Sequence, residues 1–295
     1  MLVAGRESCG AEMPDDTSKT ELRNTWESAA AGWAKWEQVF SVGLVSATEA
    51  LMDMAGLRSG VRVLDLACGA GSQTIQAAKR VGPNGAVVAI DISTTMLEHV
   101  RRNAIAAGLR NVETVECAAE DLDQPQTLFD ASISRLGLML FPSPRRALAA
   151  VQCVLKPRAR FATLVFTTPA NNPFMAQPMA ILLRHAGKSP PAPGQPGIFA
   201  LGGDRVLEEL IKDSGLADVK TRTVRAPLRL QSASAALEMM QQAFGAYRAV
   251  VAGLGDVEKS RAWGEVYEYL KQFEIGGAFE TEFEFIIGSG ARPDC

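Results

Sequence analysis

Histidine and paired cysteine are scarce in this chain of 295 residues. It has two histidines, His99 and His185, and five cysteines, an odd number with no Cys-x-x-Cys spacing. A histidine-rich metal centre, a zinc site built on cysteine pairs and a disulfide framework are therefore not predicted. We expect a protein without a bound metal that works in a reducing compartment, the cytoplasm.

Positive charge is not in excess either, and long apolar runs are missing. The 30 Lys and Arg residues face 33 Asp and Glu residues, a formal net charge of −3, which does not favour a nucleic-acid or acidic membrane partner. No apolar run approaches the ~18 residues of a membrane span. Arg6, Glu7 and Asp15 interrupt the start of the chain, where a secretory signal would be continuously apolar. We expect a small-molecule partner and a disordered lead-in over residues 1–21.

What the chain does have is a regular alternation of apolar runs and helical segments. Runs bounded by turn residues predict strands, and the spacing between them predicts helices. The predicted strands cover residues 61–67, 85–93, 112–118, 129–140, 160–168, 218–230 and 281–290. Continuous apolar strands of this kind are typical of parallel strands buried on both faces. The fold class predicted is α/β, a doubly wound, mostly parallel seven-stranded sheet with helices on both faces.

Helical segments outside the sheet predict a cover over it. Residues 22–58 carry three of the four tryptophans at helical spacing and are expected to form a lid. Residues 171–203, a short helix and a proline-rich loop, are expected to form a second lid segment, and residues 232–275 a helical insertion. The sheet core then covers residues 59–170, 204–231 and 276–295. Asp204 is placed to cap the helix that follows it.

The turn after the first predicted strand, Cys68-Gly69-Ala70-Gly71, lies where an open parallel sheet binds its ligand, outside the carboxyl ends of the strands. Its two glycines allow tight backbone conformations and a close approach to a ligand. A dinucleotide-binding turn needs a third glycine, or an alanine, at the position of Thr74. This departure weakens the dinucleotide interpretation.

Two carboxylates beside the turn indicate a different ligand. Asp65, just before the turn, would repel a pyrophosphate but favour a cationic group. Asp91 lies 91 − 71 = 20 residues after Gly71, the spacing at which a carboxylate accepts hydrogen bonds from ribose hydroxyls. Each acid alone is typical of a helix cap or a solvated turn. Together they predict a nucleoside with a cationic tail and no phosphate, and S-adenosylmethionine, with its ammonium and sulfonium, fits.

Five short stretches resemble the class I S-adenosylmethionine-dependent methyltransferases in order and spacing, and among these the branch of the ubiquinone/menaquinone C-methyltransferases. They are VLDLACGAG, VVAIDIS, VECAAEDL, FDASISRLGLML and VLKPRARF. The resemblance implies S-adenosylmethionine as cofactor and S-adenosylhomocysteine as product. It also implies methyl transfer to a small molecule, on carbon, oxygen or nitrogen.

The resemblance further implies which residues hold the cofactor. Asp65 is expected near the methionine ammonium, Asp91 at the ribose, and Ser134, near the end of strand four, beneath the methionine. The others form a backbone cradle or flank the adenine; they are Ala67, Gly69, Ala70, Gly71, Ile92, Met96, Ala118 and Ala119.

Ala118 departs from the family pattern, which normally has Asp or Asn there to accept a hydrogen bond from the adenine amino group. Glu120, Asp121 or a backbone carbonyl is left to take this role.

Methyl transfer is an in-line displacement on an already activated carbon, so the protein must chiefly orient the reactants and exclude water. Arg135 is expected to hold the cofactor carboxylate or an acidic substrate group, with an ion pair to a helix as the alternative. His185 is a candidate general base, needed only if the acceptor keeps its proton, with a surface histidine as the alternative.

Apolar side chains from the covering segments predict an apolar acceptor site, although residues at helical spacing are more often core. The candidates are Trp33, Trp36, Phe174, Met179 and Tyr247.

The function predicted is methyl transfer from S-adenosylmethionine to a small, largely apolar acceptor. A nicotinamide-dependent oxidoreductase is one alternative, and Asp65, Thr74 and the lack of a Tyr-x-x-x-Lys pair argue against it. A non-catalytic scaffold with this fold is the other, and the retained turn glycines and acids argue against it. The oligomeric state is left open, and a homodimer is compatible with the sequence.

Overall fold

The computed structural model describes residues 16–122, 128–192 and 194–294 of the protein. Its centre is a sheet of eight strands, seven of which form one continuous order. Numbered along the chain, the strands are β1 (Arg62–Leu66), β2 (Ala86–Asp91), β3 (Val112–Glu116), β4 (Phe129–Arg135), β5 (Leu155–Phe166), β6 (Ala217–Leu230), β7 (Glu274–Ile275) and β8 (Ala278–Ala291). Their order is β3-β2-β1-β4-β5-β8-β6, and the two-residue β7 pairs with β8 outside this path. Strands β1 to β5 are parallel, and β8 is antiparallel to β5 and β6. The predicted mostly parallel seven-stranded sheet is confirmed.

The described ranges contain ten α-helices, which connect and cover these strands. They are α1 (Asp16–Gly43), α2 (Val45–Met54), α3 (Ser72–Val81), α4 (Thr94–Ala106), α5 (Pro144–Val154), α6 (Pro173–His185), α7 (Val206–Asp213), α8 (Ala233–Ala243), α9 (Gly245–Val251) and α10 (Asp256–Leu270). Helices α8 to α10 form the predicted insertion between β6 and β8. No helix in these ranges has the length and apolarity needed to cross a membrane.

The central strands are apolar because both of their faces are covered. Val63, Leu64 and Leu66 of β1 are completely buried, as expected for a parallel strand between two helical layers. The strand order reverses at β1, since β2 lies on one side of it and β4 on the other. The turns that leave β1 and β4 therefore diverge and leave room for a ligand between them.

Two strand boundaries differ from the sequence prediction. Strand β4 ends at Arg135 and not at residue 140, because Leu136 adopts a left-handed backbone conformation (φ 64°) and a short 3-10 turn, Leu138–Leu140, follows it. Strand β5 begins at Leu155, before the predicted residue 160, and the extra residues are accommodated by a register shift against β4.

Two helix starts also differ from the prediction. Helix α1 begins at Asp16, so the last part of the predicted disordered lead-in is helical, while residues 1–15 lie outside the described residues. Asp204 does not cap α7. The N-cap position is Arg205, which adopts a left-handed conformation (φ 59°) and makes no side-chain cap.

Helix α1 spans the sheet from the β3 side to the helical insertion. Near its start, Lys19 pairs with Asp121 (Nζ to Oδ1, 2.6 Å). Farther along, Gly32 packs directly on the backbone of α8, where a Cβ atom at position 32 would come within 2.0 Å of the Gln242 carbonyl oxygen. Because contact this close admits no side chain, Gly32 lets the lid helix lie flat against the insertion.

Candidate functional site

A cavity of about 810 Å³ opens at the carboxyl ends of β1, β2 and β4, where the strand order reverses. We call it the polar cavity. Its polar lining includes Asp91, Glu120 and Arg135, and α1 closes it with Trp26 and Trp33. The cavity lies where a doubly wound sheet is expected to bind a ligand.

The turn beneath this cavity is built from left-handed residues. Ala67 (φ 51°), Gly69 (φ 55°) and Gly71 (φ 97°) all have positive φ, a region that costs energy for any residue except glycine. A Cβ atom at Gly71 would also come within 3.0 Å of Val100 on α4. Gly71 is thus required twice, by its backbone conformation and by the close packing of α4.

Asp65 and Asp91 extend from the same face of the sheet. The parallel register places Asp65 opposite Ala89, and Asp91 lies two residues beyond Ala89, so alternation puts all three side chains on one face. Asp91 accepts hydrogen bonds from the backbone N–H of Gly69 and of Ser93, each at 2.9 Å. Burial raises the pKa of Asp91 to about 6, while these backbone donors act in the opposite direction. Asp91 lines the cavity, and each of its oxygens keeps a lone pair for a ligand.

Asp65 lies deeper, completely buried beneath the first turn of α3. Thr74 donates its hydroxyl to Asp65 at 2.6 Å, and Gln73 donates its side-chain amide at 3.4 Å. Burial raises the pKa of Asp65 to about 7, against the effect of these donors. Gln73 lines the polar cavity whereas Asp65 does not. Asp65 therefore influences the cavity indirectly, through its electrostatic potential and by orienting the side chain of Gln73.

Arg135, in β4, extends from the same face of the sheet as Asp65 and Asp91, and β4 lies on the side of β1 opposite β2. The register places Asp65 opposite Ile133, two residues before Arg135. The guanidinium donates to the hydroxyl of Thr48 at 3.0 Å and to that of Ser72. Burial lowers the pKa of Arg135 to about 10, so it remains charged at neutral pH.

The ion pair with a helix that the sequence left open for Arg135 is not seen. In the described residues no carboxylate lies within 4.0 Å of its guanidinium, and its helical partners are hydroxyl groups. The charges of Asp65 and Glu37 act to raise the pKa of Arg135 without contacting the guanidinium, so an anionic ligand group would supply the direct partner that these residues do not.

Glu120 and Asp121, the two acids left open as adenine partners, are used differently. Asp121 is bound by Lys19 and by Arg146 (3.4 Å). Glu120 is buried and lines the polar cavity, and one of its oxygens accepts the backbone N–H of Ser143 at 3.2 Å. Of the two acids, Glu120 is the one that faces the cavity.

A second cavity, of about 1110 Å³, adjoins the first. We call it the apolar cavity. The two share Leu22, Trp26, Trp33, Leu136 and Leu140. No Asp, Glu, Lys, Arg, His or Cys is among the described residues that line it. Tyr247 lines it, but its hydroxyl is committed to the carbonyl of Met175 at 2.7 Å, and burial raises its pKa.

The match with known proteins covers the strands and turns of the polar cavity but not the part of α1 that closes it. Residues 57–182, which contain β1 to β5, match the family described as a methyltransferase domain. The ubiquinone/menaquinone biosynthesis C-methyltransferase UbiE of Hahella chejuensis is 32% identical over 162 residues, which are 54% of this chain and 65% of that relative. Over these residues the chain is similar to methyltransferases. It spans just under two thirds of the UbiE relative's length.

Two solved structures show the same fold. The YcgJ protein of Bacillus subtilis superposes with a TM-score of 0.57 over 85% of this chain and 100% of its own, at 18% identity. Phosphoethanolamine N-methyltransferase 2 of Haemonchus contortus, in complex with S-adenosyl-L-methionine, gives a TM-score of 0.58 over 94% of this chain and 60% of its own, at 16% identity.

Most of the residues predicted to hold a cofactor lie together around the polar cavity. They are Ala67, Gly69, Asp91, Ile92, Met96, Ala118, Ala119 and Glu120, with Arg135 beside them. Asp65, Ala70, Gly71 and Ser134 do not line it. Ser134 is completely buried, and its hydroxyl has no hydrogen-bond partner among the described residues.

Three residues predicted for the acceptor line neither cavity. Trp36 donates its indole N–H to Gln242 at 3.0 Å. Phe174 is buried among other phenylalanine rings, and Met179 packs against the core. Trp33 and Tyr247 do line the apolar cavity. Helical spacing identified all five as inward-facing but did not separate core from cavity.

His185 also lies outside the two cavities. It ends α6, with its Nε2 at 2.8 Å from a carboxylate oxygen of Glu265 on α10. It lines neither cavity. The structure does not support a general base at His185, which stays a prediction. The alternative of a surface histidine fits only in part, since the side chain is 15% exposed and paired with Glu265. No metal-binding cluster of three or more suitable side chains is found in the ranges that the structure describes.

Sequence reasoning missed several lining residues. Phe283 and Phe285 of β8 line the apolar cavity together. Their spacing of two within a predicted strand put them on one face, so the sequence contained a signal for them. Leu22 and Gly197 had no such signal, because only the packing of α1 and of the proline-rich loop brings them to the cavities.

Proposed function

We propose that this protein transfers a methyl group from S-adenosylmethionine to a small, largely apolar acceptor. The observation that carries the proposal is the shared wall between a polar cavity, in which Asp91, Glu120 and Arg135 meet, and an apolar cavity without charged lining. Two reactants of opposite character would lie in contact at this wall. A displacement reaction requires its two reactants to be bound side by side, as two adjoining cavities allow.

The groups around the polar cavity match the parts of S-adenosylmethionine. Asp91 has lone pairs left for the ribose hydroxyls, and in the described residues one Glu120 oxygen accepts no hydrogen bond and suits the adenine amino group. Arg135, which makes no direct ion pair among the described residues, suits the methionine carboxylate. Asp65 and Gln73 supply negative potential and a carbonyl for the ammonium. When bound, the cofactor supplies a methyl carbon activated by its sulfonium.

The residues of this chain then serve to orient the reactants and exclude water. Helix α1 lies over both cavities through Leu22, Trp26 and Trp33. In the described residues the apolar cavity contains no group that could remove a proton, since the Tyr247 hydroxyl is already bonded. We therefore propose catalysis by proximity and water exclusion, without a general base.

The acceptor class rests on the same lining. The UbiE relative is a C-methyltransferase of ubiquinone/menaquinone biosynthesis, and we extend only its reaction class to this chain. An acceptor that fills the apolar cavity must present hydrocarbon or aromatic surface, since a charged group there would be left unpaired. We propose that it acts on such a molecule in the cytoplasm, without nucleic acid.

Calorimetry with S-adenosylmethionine, S-adenosylhomocysteine and NAD(P) tests the proposal. We expect the two adenosyl ligands to bind and the nicotinamide ligands not to bind. Transfer of labelled methyl to members of an apolar compound library then tests for turnover. Binding of NAD(P) alone would favour the oxidoreductase, and binding of neither class would favour a scaffold.

A further inference from the structure

Trp33 stands in the wall between the two cavities and is held there rigidly. It lines both of them. One ring face stacks on Phe40, with centroids 4.7 Å apart and planes at 15°. Trp26 packs against it at 6.0 Å in an edge arrangement, with planes at 88°. The indole can therefore turn little, and its N–H has a fixed direction.

That N–H group has no hydrogen-bond acceptor among the described residues, and this distinguishes it from its neighbour on the same helix. Trp36, three residues on, donates to Gln242 at 3.0 Å. Trp33 is half-buried and packed against the core, but its Nε1 is not among the fully buried unpaired atoms of the described residues. The unused N–H is therefore open to a cavity, where a bound ligand can accept its hydrogen bond.

The position of the N–H shows where that partner must lie. A Cβ atom built on Gly69 would lie 3.5 Å from Nε1 of Trp33, so the donor sits directly above the turn that follows β1. Gly69 lines the polar cavity and not the apolar one. The missing acceptor therefore belongs to the ligand of the polar cavity.

We infer that Trp33 is a cofactor-binding residue whose indole N–H donates a hydrogen bond to an oxygen of the adenosyl ligand. The inference rests on the proposed function. The oxygen belongs either to the amino-acid carboxylate or to the sugar, both of which are hydrogen-bond acceptors. Since the same ring walls the apolar cavity, this bond also fixes one side of the acceptor site.

The variant Trp33→Phe removes the N–H and keeps an aromatic ring. Calorimetry of the full chain compares the binding of two ligands. They are S-adenosylhomocysteine and 5′-methylthioadenosine, which has the sugar but no amino acid. We expect about tenfold weaker binding of S-adenosylhomocysteine, the scale of one lost hydrogen bond. If only S-adenosylhomocysteine binds more weakly, the acceptor is the amino-acid carboxylate. If both ligands bind more weakly, the acceptor is a sugar oxygen. Trp36→Phe is the matched control and should bind both ligands like the wild type.

Indole NMR of the wild type provides a second readout should Trp33→Phe fold poorly. The ¹⁵N–¹H signal of Trp33 should move downfield on addition of S-adenosylhomocysteine, while that of Trp36 stays in place. Wild-type affinity in Trp33→Phe, or a stationary Trp33 signal in the saturated protein, overturns the inference. Failure of the wild type to bind either ligand overturns the proposed function instead.

Discussion

Thr74 donates its hydroxyl to the buried carboxyl group of Asp65 across 2.6 Å. Thr74 stands at the position where a dinucleotide-binding turn has glycine or alanine, and this bond gives the reason for the departure. A small residue there would leave the carboxyl oxygen without its shortest donor in a completely buried place. The acid before the turn and the threonine after it therefore form one unit that fastens α3 to β1.

Stability of the ligand-free protein should fall as the pH rises from about 4 to about 7. Burial raises the pKa of Asp65 to about 7 and that of Asp91 to about 6, from ~3.9 in the unfolded chain. Between these values the folded state binds more protons than the unfolded state, so the free energy of unfolding decreases with pH.

The variant Asp65→Asn isolates the share of Asp65 in this dependence. Its amide oxygen can still accept from Thr74, but it does not titrate. Denaturant unfolding between pH 5 and pH 8 should show a shallower decline than in the wild type, with a difference on the order of 1–4 kcal/mol over that range. Equal slopes in the two proteins would contradict the raised pKa of Asp65.

Removal of the Asp91 carboxylate should weaken S-adenosylhomocysteine binding by ~1.5–3 kcal/mol, the scale of hydrogen bonds to a charged acceptor. Asp91→Ala tests this by calorimetry, with thermal melting to confirm that the turn still folds without the Gly69 contact. Asp121→Ala is the control, because Asp121 is bound by Lys19 and does not line the polar cavity. If Asp91→Ala keeps wild-type affinity, the ribose contact is elsewhere.

The sheet and the glycine turn after β1 could be predicted because local sequence determines them. Apolar strands and the spacing from Gly71 to Asp91 are set by the chain itself. Asp65 does not line the polar cavity, because Gln73 and Thr74 in the next helix cover it, and its role near the methionine ammonium stays a prediction.

The acceptor side could be predicted only in part, because tertiary packing builds it. Trp33 and Trp36 lie on one helix with similar surroundings in sequence. Only the docking of α1 brings the first to both cavities and the second to Gln242 on α8. His185 was likewise placed near the lid, and its contact with Glu265 could not be read from spacing.

Arg135 should distinguish ligands with and without the amino-acid tail. Arg135→Ala is expected to weaken S-adenosylhomocysteine about tenfold to a hundredfold, because the carboxylate loses a charge-assisted donor. Binding of 5′-methylthioadenosine, which has no carboxylate, should change little. Calorimetry with both ligands measures the difference, and an equal loss for the two would give Arg135 a structural role through Thr48 and Ser72.

The contribution of Glu120 to binding should depend on whether the base of the ligand carries the adenine amino group. The Glu120 side chain lines the polar cavity together with Ala118, whose methyl group offers no acceptor, and we propose that the adenine lies there. Glu120→Ala should weaken S-adenosylhomocysteine by ~1.5–3 kcal/mol, the scale of a hydrogen bond to a charged group. The inosine analogue, which lacks the amino group, should bind wild type and variant alike. A loss of equal size for both ligands would place the adenine contact on a backbone carbonyl.

Filling the apolar cavity should impair turnover without affecting the cofactor. Ile198, in the loop before α7, lines the apolar cavity and not the polar one. Ile198→Trp should lower kcat/KM for an apolar acceptor about tenfold to a hundredfold, since overfilling a packed site costs ~1–3 kcal/mol. S-adenosylhomocysteine affinity should remain at the wild-type value. Val257→Trp, on the exposed side of α10 and away from both cavities, controls for an added indole. Should Ile198→Trp turn over the acceptor like the wild type, the acceptor binds outside the apolar cavity.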